Sequence, residues 1–161
     1  MASILDYCAD ASPSEIAAGT ILLREGETSG RLYVLVDGAV EVLRGETIVA
    51  VIAEPGSVFG EMSVLLGQPH TATVRTRTQA GLYIFDDAQN FLRSHPEIAF
   101  YLGRLLAKRL NAATTYLVDL KRQFEGQSNH FGMVGEVLET LIHQQHDEFT
   151  PGSDRDSDPR L

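Results

Sequence analysis

The stretch Phe59-Gly60-Glu61-Met62-Ser63-Val64-Leu65-Leu66-Gly67-Gln68-Pro69-His70-Thr71-Ala72-Thr73-Val74 gathers residues whose types and spacing could do chemistry. Gly60 lets backbone approach a guest closely. Glu61–Leu66 are good helix formers between Gly60 and Gly67, so one helical turn or two is expected there. The free N–H groups and positive dipole end of that helix would point at one spot, which is an anion site. Glu61 supplies a carboxylate that accepts hydrogen bonds from hydroxyls. Thr71 brings a hydroxyl of its own, and Ala72 leaves room for a bulky group. Together these parts suit an anion attached to a sugar.

The same stretch resembles the phosphate-binding cassette of the cyclic-nucleotide-binding family. That family includes catabolite gene activator proteins, regulatory subunits of protein kinase A and nucleotide-gated channels. Its pattern is Phe-Gly-Glu, a short apolar helix, a variable link, then Arg-Ser/Thr-Ala-Thr/Ser-Val. Phe59-Gly60-Glu61 and Thr71-Ala72-Thr73-Val74 match in place. Arg24-Glu25-Gly26-Glu27 and Leu35-Val36-Asp37-Gly38 also fit, and the resemblance covers roughly residues 15–125. It implies a cyclic nucleotide, cAMP or cGMP, as ligand. Gly60 and Ser63 would offer backbone N–H groups to the cyclic phosphate, with Met62 between them in the same turn. Glu61 would accept from the ribose 2′-hydroxyl, and Thr71 and Ala72 would line the phosphate. Val58, Phe59 and Val74 would wall the pocket. In dimeric members polar residues of a long helix reach the purine, and Thr114 and Thr115 stand at about that place; they are equally readable as solvent-facing threonines.

One position departs from the pattern. His70 stands where the family has arginine. A guanidinium is always charged and meets phosphate with a planar fork. Histidine is shorter and, with a reference pKa of about 6.5, mostly neutral near pH 7. A charge-assisted hydrogen bond contributes about 1.5–3 kcal/mol, so its loss costs roughly ten- to a hundredfold in affinity. Arg75 and Arg77 are poor substitutes, because side chains alternate faces along a strand. If residues 70, 72 and 74 face the pocket and interior, 75 and 77 point away. Two fates follow: a cyclic-nucleotide sensor in which His70 helps when protonated, or a degenerate pocket kept as a protein-interaction scaffold.

Other chemistries fit less well. Metal-dependent enzymes on related β-folds use two or three histidines and a carboxylate. Of His70, His95, His130, His143 and His146, only His70 lies in the β-rich part. His143 and His146 could share a metal at i, i+3, but a solvated polar face beside Gln144 and Gln145 explains them more simply. No nucleophile elbow, Walker loop or Cys-x-x-Cys pair is present, so no enzyme and no cofactor is expected.

These side chains need a frame. Short β-rich runs occupy Thr20–Arg24, Arg31–Val36, Ala39–Leu43, Thr47–Ile52, Ala72–Arg77 and Gly81–Phe85, separated by turn formers. Asp37-Gly38 reads as a two-residue hairpin turn, and Arg44-Gly45-Glu46 as a second. Glu54-Pro55-Gly56 breaks the next run. Many short strands at near-regular spacing indicate a mainly β fold with helices: a double-stranded β-helix, or jelly-roll-like β-roll, of about eight strands. Ser12-Pro13-Ser14-Glu15 resembles a helix start, so residues 1–18 are expected as helix or coil. Asp86 and Asp87 cap a helix to about Ser94, His95-Pro96 punctuates it, and a long helix runs from Pro96 to about Phe124. Leu106, Leu110, Ala113, Leu117, Leu120 and Phe124 recur in it at spacings of 4, 3, 4, 3, 4, a heptad seam suited to a homodimer. The organisation expected is therefore 1–18, a binding domain 19–125, a helix within 126–149 (Phe131 to about Gln145, after a linker at 126–130), and a disordered tail 150–161.

Composition bounds the rest. The chain has 161 residues, a hydrophobic fraction of 43% and a formal net charge of -9. An acidic chain repels the phosphate backbone, so nucleic acid is not expected as a partner. The stretch after the long helix is acidic to neutral and lacks a groove-reading recognition helix, so no DNA-reading domain is expected. No apolar stretch approaches the ~18–20 residues that span a bilayer, and the first ten residues do not form a secretory signal. The lone Cys8 fits a reducing cytoplasm and reads as a small apolar side chain. The expectation is a non-catalytic, cytoplasmic, bacterial-style regulatory module, dimeric and signalling through a protein partner.

Overall fold

The computed structural model describes residues 3–124 and 132–143. The linker at 126–130, Phe131, the stretch 144–149 with His146, and the tail 150–161 lie outside the described residues. Eight strands form two four-stranded antiparallel sheets. The first has the order β1(Ser14–Ile16)–β8(Ala80–Phe85)–β3(Leu32–Asp37)–β6(Val58–Phe59). The second has the order β2(Ile21–Leu23)–β7(Thr73–Thr76)–β4(Val40–Arg44)–β5(Thr47–Ile52). Leu23, Val40 and Val74 of one sheet and Tyr33, Leu35, Phe59, Ala80 and Leu82 of the other build a single core cluster. Two facing sheets with chain crossings between them make the β-roll that the strand spacing predicts.

Two expectations are overturned. Ser12–Glu15 does not start a helix. Only a short α1(Ile4–Tyr7), with Ser3 and Asp6 forming a capping box, is helical in that region. Residues 14–16 are instead β1, in register with Leu82, Gly81 and Ala80. Without β1, that flank of β8 would expose unbonded N–H and C=O groups, so pairing overrides the local capping signal. Asp37-Gly38 is not a hairpin turn either, because β3 and β4 belong to different sheets. It is a corner where the chain crosses. A Cβ on Gly38 would stand 2.4 Å from the Gln79 carbonyl oxygen, since the β7–β8 connection crosses at the same place. The Asp37 carboxylate accepts from Gly81 N at 2.9 Å and secures the corner. The Arg44–Thr47 hairpin is present, with Gly45 at φ 59.

β5 is an edge strand, bonded to β4 alone. Five of its six residues are exposed, among them Ile48, Val49 and Val51. Buried Glu41 on β4 pairs with Arg75 on β7 across the ladder.

The helices follow the sequence closely. α2(Glu61–Leu66) lies between left-handed Gly60 and Gly67. α3(Ala88–Ser94) is capped by the Asp87 carboxylate and ends at His95, whose Nδ1 lies 2.8 Å from the Phe91 carbonyl. α4(Pro96–Gln123) is the long helix and α5(Gly132–His143) the last.

Two compact units divide at Gly103 and Arg104. The first holds α1, both sheets, α2, α3 and the opening turns of α4, anchored by fully buried Ile98 and Leu102. The second holds the rest of α4 with α5. There the Lys121 ammonium lies 3.2 Å from where a Cβ on Gly135 would stand, and Leu138 is buried. None of the seam residues Leu106, Leu110, Ala113, Leu117, Leu120 and Phe124 is buried.

Candidate functional site

The cassette is built around Gly60. Its φ of 91 and ψ of -3 place it in the left-handed region, where residues with a Cβ are strained. A Cβ here would stand 2.4 Å from the Arg31 carbonyl oxygen and 3.4 Å from Leu23 Cδ1. Gly60 is therefore wedged between the start of β3 and β2. Leu23 is in turn the register partner of Val74. Gly60 thus lies against Leu23, and Leu23 pairs with Val74 of the cassette's last strand. Leu23, Phe59 and Val74 are all buried in the core cluster. Val58 is buried beside Val34 on β3.

α2 presents its first turn at this junction. Val64 N donates to the Gly60 carbonyl, the first bond of the helix. The N–H groups of Met62 and Ser63 precede it, where helix geometry supplies no acceptor. The Ser63 hydroxyl donates to the Gln68 carbonyl, and the Ser63 carbonyl accepts from Gln68 N at 3.3 Å. These bonds hold the 67–69 link against the helix end. Glu61 is only 5% exposed and is engaged within the fold. Thr71 is exposed and Ala72 half-buried. Met62 is exposed.

His70 is 6% exposed. Its backbone is tied on both sides to the β2–β3 loop: His70 N donates to the Glu27 carbonyl at 2.9 Å, and Gly26 N donates to the His70 carbonyl at 2.8 Å. Its Nε2 lies 2.9 Å from the Ser29 hydroxyl. Burial holds its pKa below the usual histidine range, partly opposed by nearby Glu27. The ring is neutral near pH 7. Any help given by a protonated imidazole would therefore come only in acid. Side chains alternate along β7: Val74 and Thr76 are buried, while Arg75 reaches Glu41 and Arg77 is exposed.

Thr114 and Thr115 belong to the second compact unit and the cassette to the first. The Thr115 hydroxyl donates to the Asn111 carbonyl at 2.9 Å, one helical turn back. Reading the sequence missed Ser29, Arg31 and Leu23. Their parts are a hydroxyl, a carbonyl and a methyl supplied through loop and register, and no residue-type signal marks them.

Beside the cassette lies a groove of about 570 Å³, lined by Val64 and Leu65 of α2, Leu92 and Arg93 of α3, and Pro96 and Phe100 of α4. It joins the cassette helix to the α3–α4 corner. Among the described residues, no group of histidine, cysteine and carboxylate side chains is arranged to hold a metal ion. No described helix is long and apolar enough to cross a membrane.

A family model for the cyclic nucleotide-binding domain matches residues 13–93. The CRP-like cAMP-activated global transcriptional regulator of Mycobacterium tuberculosis is 32% identical over 114 residues, covering 67% of this chain and 51% of that protein. A cyclic nucleotide-gated potassium channel of Mesorhizobium japonicum is 34% identical over 102 residues, which is 62% of this chain and 28% of the channel. The chain thus spans about half, or less, of these curated relatives. Among solved structures, the N-terminal domain of a transcriptional regulator from Streptomyces coelicolor A3(2) aligns with a TM-score of 0.51 at 31% identity, covering 68% of this chain and 83% of that one. The catabolite activator protein of Thermus thermophilus aligns with a TM-score of 0.58 at 23% identity, covering 86% and 80%, a likeness of fold. The matched residues run from the strand nobody would draw from Ser12–Glu15 alone, through the whole Gly60–Ala72 cassette, into α3, and on that ground the chain belongs to the cyclic nucleotide-binding domain family.

Proposed function

We propose that this chain is a non-catalytic, cytoplasmic sensor module that takes a cyclic nucleotide, cAMP or cGMP, at the Gly60–Ala72 cassette. The observation that carries the reading is the wedge of left-handed Gly60 against Arg31 and Leu23. In this reading the first-turn amides of α2, the Thr71–Ala72 segment and Glu61 would share one cradle, the parts a sugar phosphate needs. The transcriptional regulator and the channel named above carry cyclic nucleotides in their descriptions, which supports the ligand class.

The proposed mechanism is mechanical. Ligand drawn to the α2 amides shifts α2. Val64 and Leu65 share their groove with Pro96 and Phe100, so the shift reaches the α3–α4 corner at His95-Pro96 and the start of the long helix. The output is a protein contact made by the helices that follow. The seam of α4, which the described residues cover only in part, is proposed to pair with a second copy.

Titration of the full chain with cAMP and cGMP, read by thermal unfolding, tests this. A ligand at 100 times its dissociation constant adds about 2.7 kcal/mol. The expected result is a saturable upward shift that Glu61→Ala removes. No shift with either nucleotide would overturn the sensor reading and leave a scaffold that binds protein through the same fold.

A further inference from the structure

Gly30 and Arg31 carry no part in the cassette pattern, yet their consecutive carbonyls reach two different elements. The first residue of α3, Ala88, is fully buried. Its N–H stands in the opening turn of the helix, where the helix itself has no acceptor to offer. A buried N–H needs one. Ala88 N donates to the Gly30 carbonyl at 3.1 Å. The next carbonyl along the chain, that of Arg31, is the one that meets Gly60, 2.4 Å from where a Cβ would stand. Gly30 sits where the two carbonyls diverge, with a φ of 66 that glycine adopts without strain. Beyond the backbone, the Arg31 guanidinium pairs with Asp86 just ahead of α3, Nε to Oδ1 at 2.9 Å. Both side chains are half-exposed or more, so water weakens this pair and the backbone bond is the firmer tie.

We infer that Gly30 and Arg31 are positioning residues that seat the start of α3 against the Gly60 end of the cassette, by a connection that does not pass through α2. The use of this connection in signalling rests on the nucleotide reading proposed above; the connection itself does not. In the mechanism given there, a guest at the α2 amides reaches the His95-Pro96 corner through the groove side chains Val64 and Leu65. Along the second route a displacement of Gly60 passes directly to the Arg31 carbonyl, and one peptide further to the acceptor of the buried Ala88 N–H. Contact between backbone atoms leaves no rotamer to absorb the push, unlike contact between the flexible ends of side chains. α3 is only seven residues long, from Ala88 to Ser94, so a tilt imposed at its first residue is carried to its C-cap, His95.

The experiment uses the full ¹⁵N-labelled chain and follows two amide protons by NMR: that of Ala88, bonded to the Gly30 carbonyl, and that of Val64, bonded to the Gly60 carbonyl. The chemical shift of each reports its own hydrogen bond. Without ligand, Gly30→Ala strains the left-handed φ and should move both signals. Gly45→Ala brings the same kind of strain to a turn where a Cβ meets nothing within 4 Å, and should move neither. Should Gly30→Ala not fold, Arg31→Ala, which frees the loop from Asp86, takes its place with the same expectation. A variant that shifts Ala88 and leaves Val64 in place overturns the inference. Titration with cAMP and cGMP follows. A bound nucleotide should shift Ala88 in the wild type. Leu65→Ala, which thins the groove, should keep that response, and Gly30→Ala should lose most of it. A residue that only held the fold together would lower the melting temperature and leave the response intact. A full Ala88 response in Gly30→Ala, or its loss in Leu65→Ala alone, therefore also overturns the inference. A protein that binds neither nucleotide overturns the sensor function instead, and the ligand-free shifts then decide the positioning role by themselves.

Discussion

His70 is buried as a neutral ring, and this sets how the fold responds to acid. Its pKa in the folded protein lies below the unfolded value because burial disfavours the imidazolium, with Glu27 pulling weakly the other way. In the unfolded chain the ring takes up its proton near the ordinary value of about 6.5. Below that pH the unfolded state binds more protons than the folded one, so stability falls as the solution is acidified until the folded ring also titrates. Wild type should therefore lose stability faster than His70→Gln between about pH 6.5 and 5, measured by urea unfolding. Parallel curves for the two proteins would mean that the ring is open to protons in the fold. The place of His70 was legible from the resemblance, since it stands where the cassette pattern has arginine, one residue before Thr71-Ala72. Its burial was not legible, because that depends on Ser29 and Glu27, more than forty positions earlier in the chain and brought near by the β2–β3 loop.

At the scale of elements, two glycines frame α2 and differ in one respect. Gly60 and Gly67 both have positive φ, 91 and 63. A Cβ on Gly67 would meet nothing within 4 Å, whereas one on Gly60 would strike the Arg31 carbonyl at 2.4 Å. Gly67→Ala should cost about 1 kcal/mol, the strain of a left-handed alanine. Gly60→Ala carries that strain and a backbone clash as well, and should cost about 3 kcal/mol or more. Chemical denaturation of both variants separates the two effects; equal losses would show that the loop at Arg31 yields freely. α2, α3, α4 and the longer strands could be read from the sequence because each carries a full period or a cap. β1 and β6 could not. Unlike the equally short β2, whose Ile21-Leu22-Leu23 marks a β-rich run, Ser14–Ile16 and Val58-Phe59 carry no such run, and they are strands because β8 and β3 offer them ladder bonds. The Asp37-Gly38 corner was misread for a related reason: a turn signal says that the chain reverses but not which sheet receives it.

For the molecule as a whole, the seam of α4 is an apolar stripe with no buried member among the described residues. Leu110 and Ala113 are exposed, and Leu106, Leu117, Leu120 and Phe124 are only partly covered. A regular 4-3 spacing over three turns and more buries such a stripe best against a parallel or antiparallel copy of itself. Sedimentation of the wild type should give a dimer, and Leu110→Asp with Leu117→Asp should give a monomer whose sheets still melt cooperatively. A monomeric wild type at micromolar concentration would remove the second copy from the mechanism. β5 bears on the same scale in a different way. Its outer rim carries open N–H and C=O groups, and its exposed side chains include isoleucine and valine, with no lysine or proline to blunt it. Such a rim accepts an added strand from any chain that supplies one. The colloidal behaviour of the protein is thus a contest between six residues that recruit and a net charge of -9 that repels, and salt, by screening the second, should hand the outcome to the first.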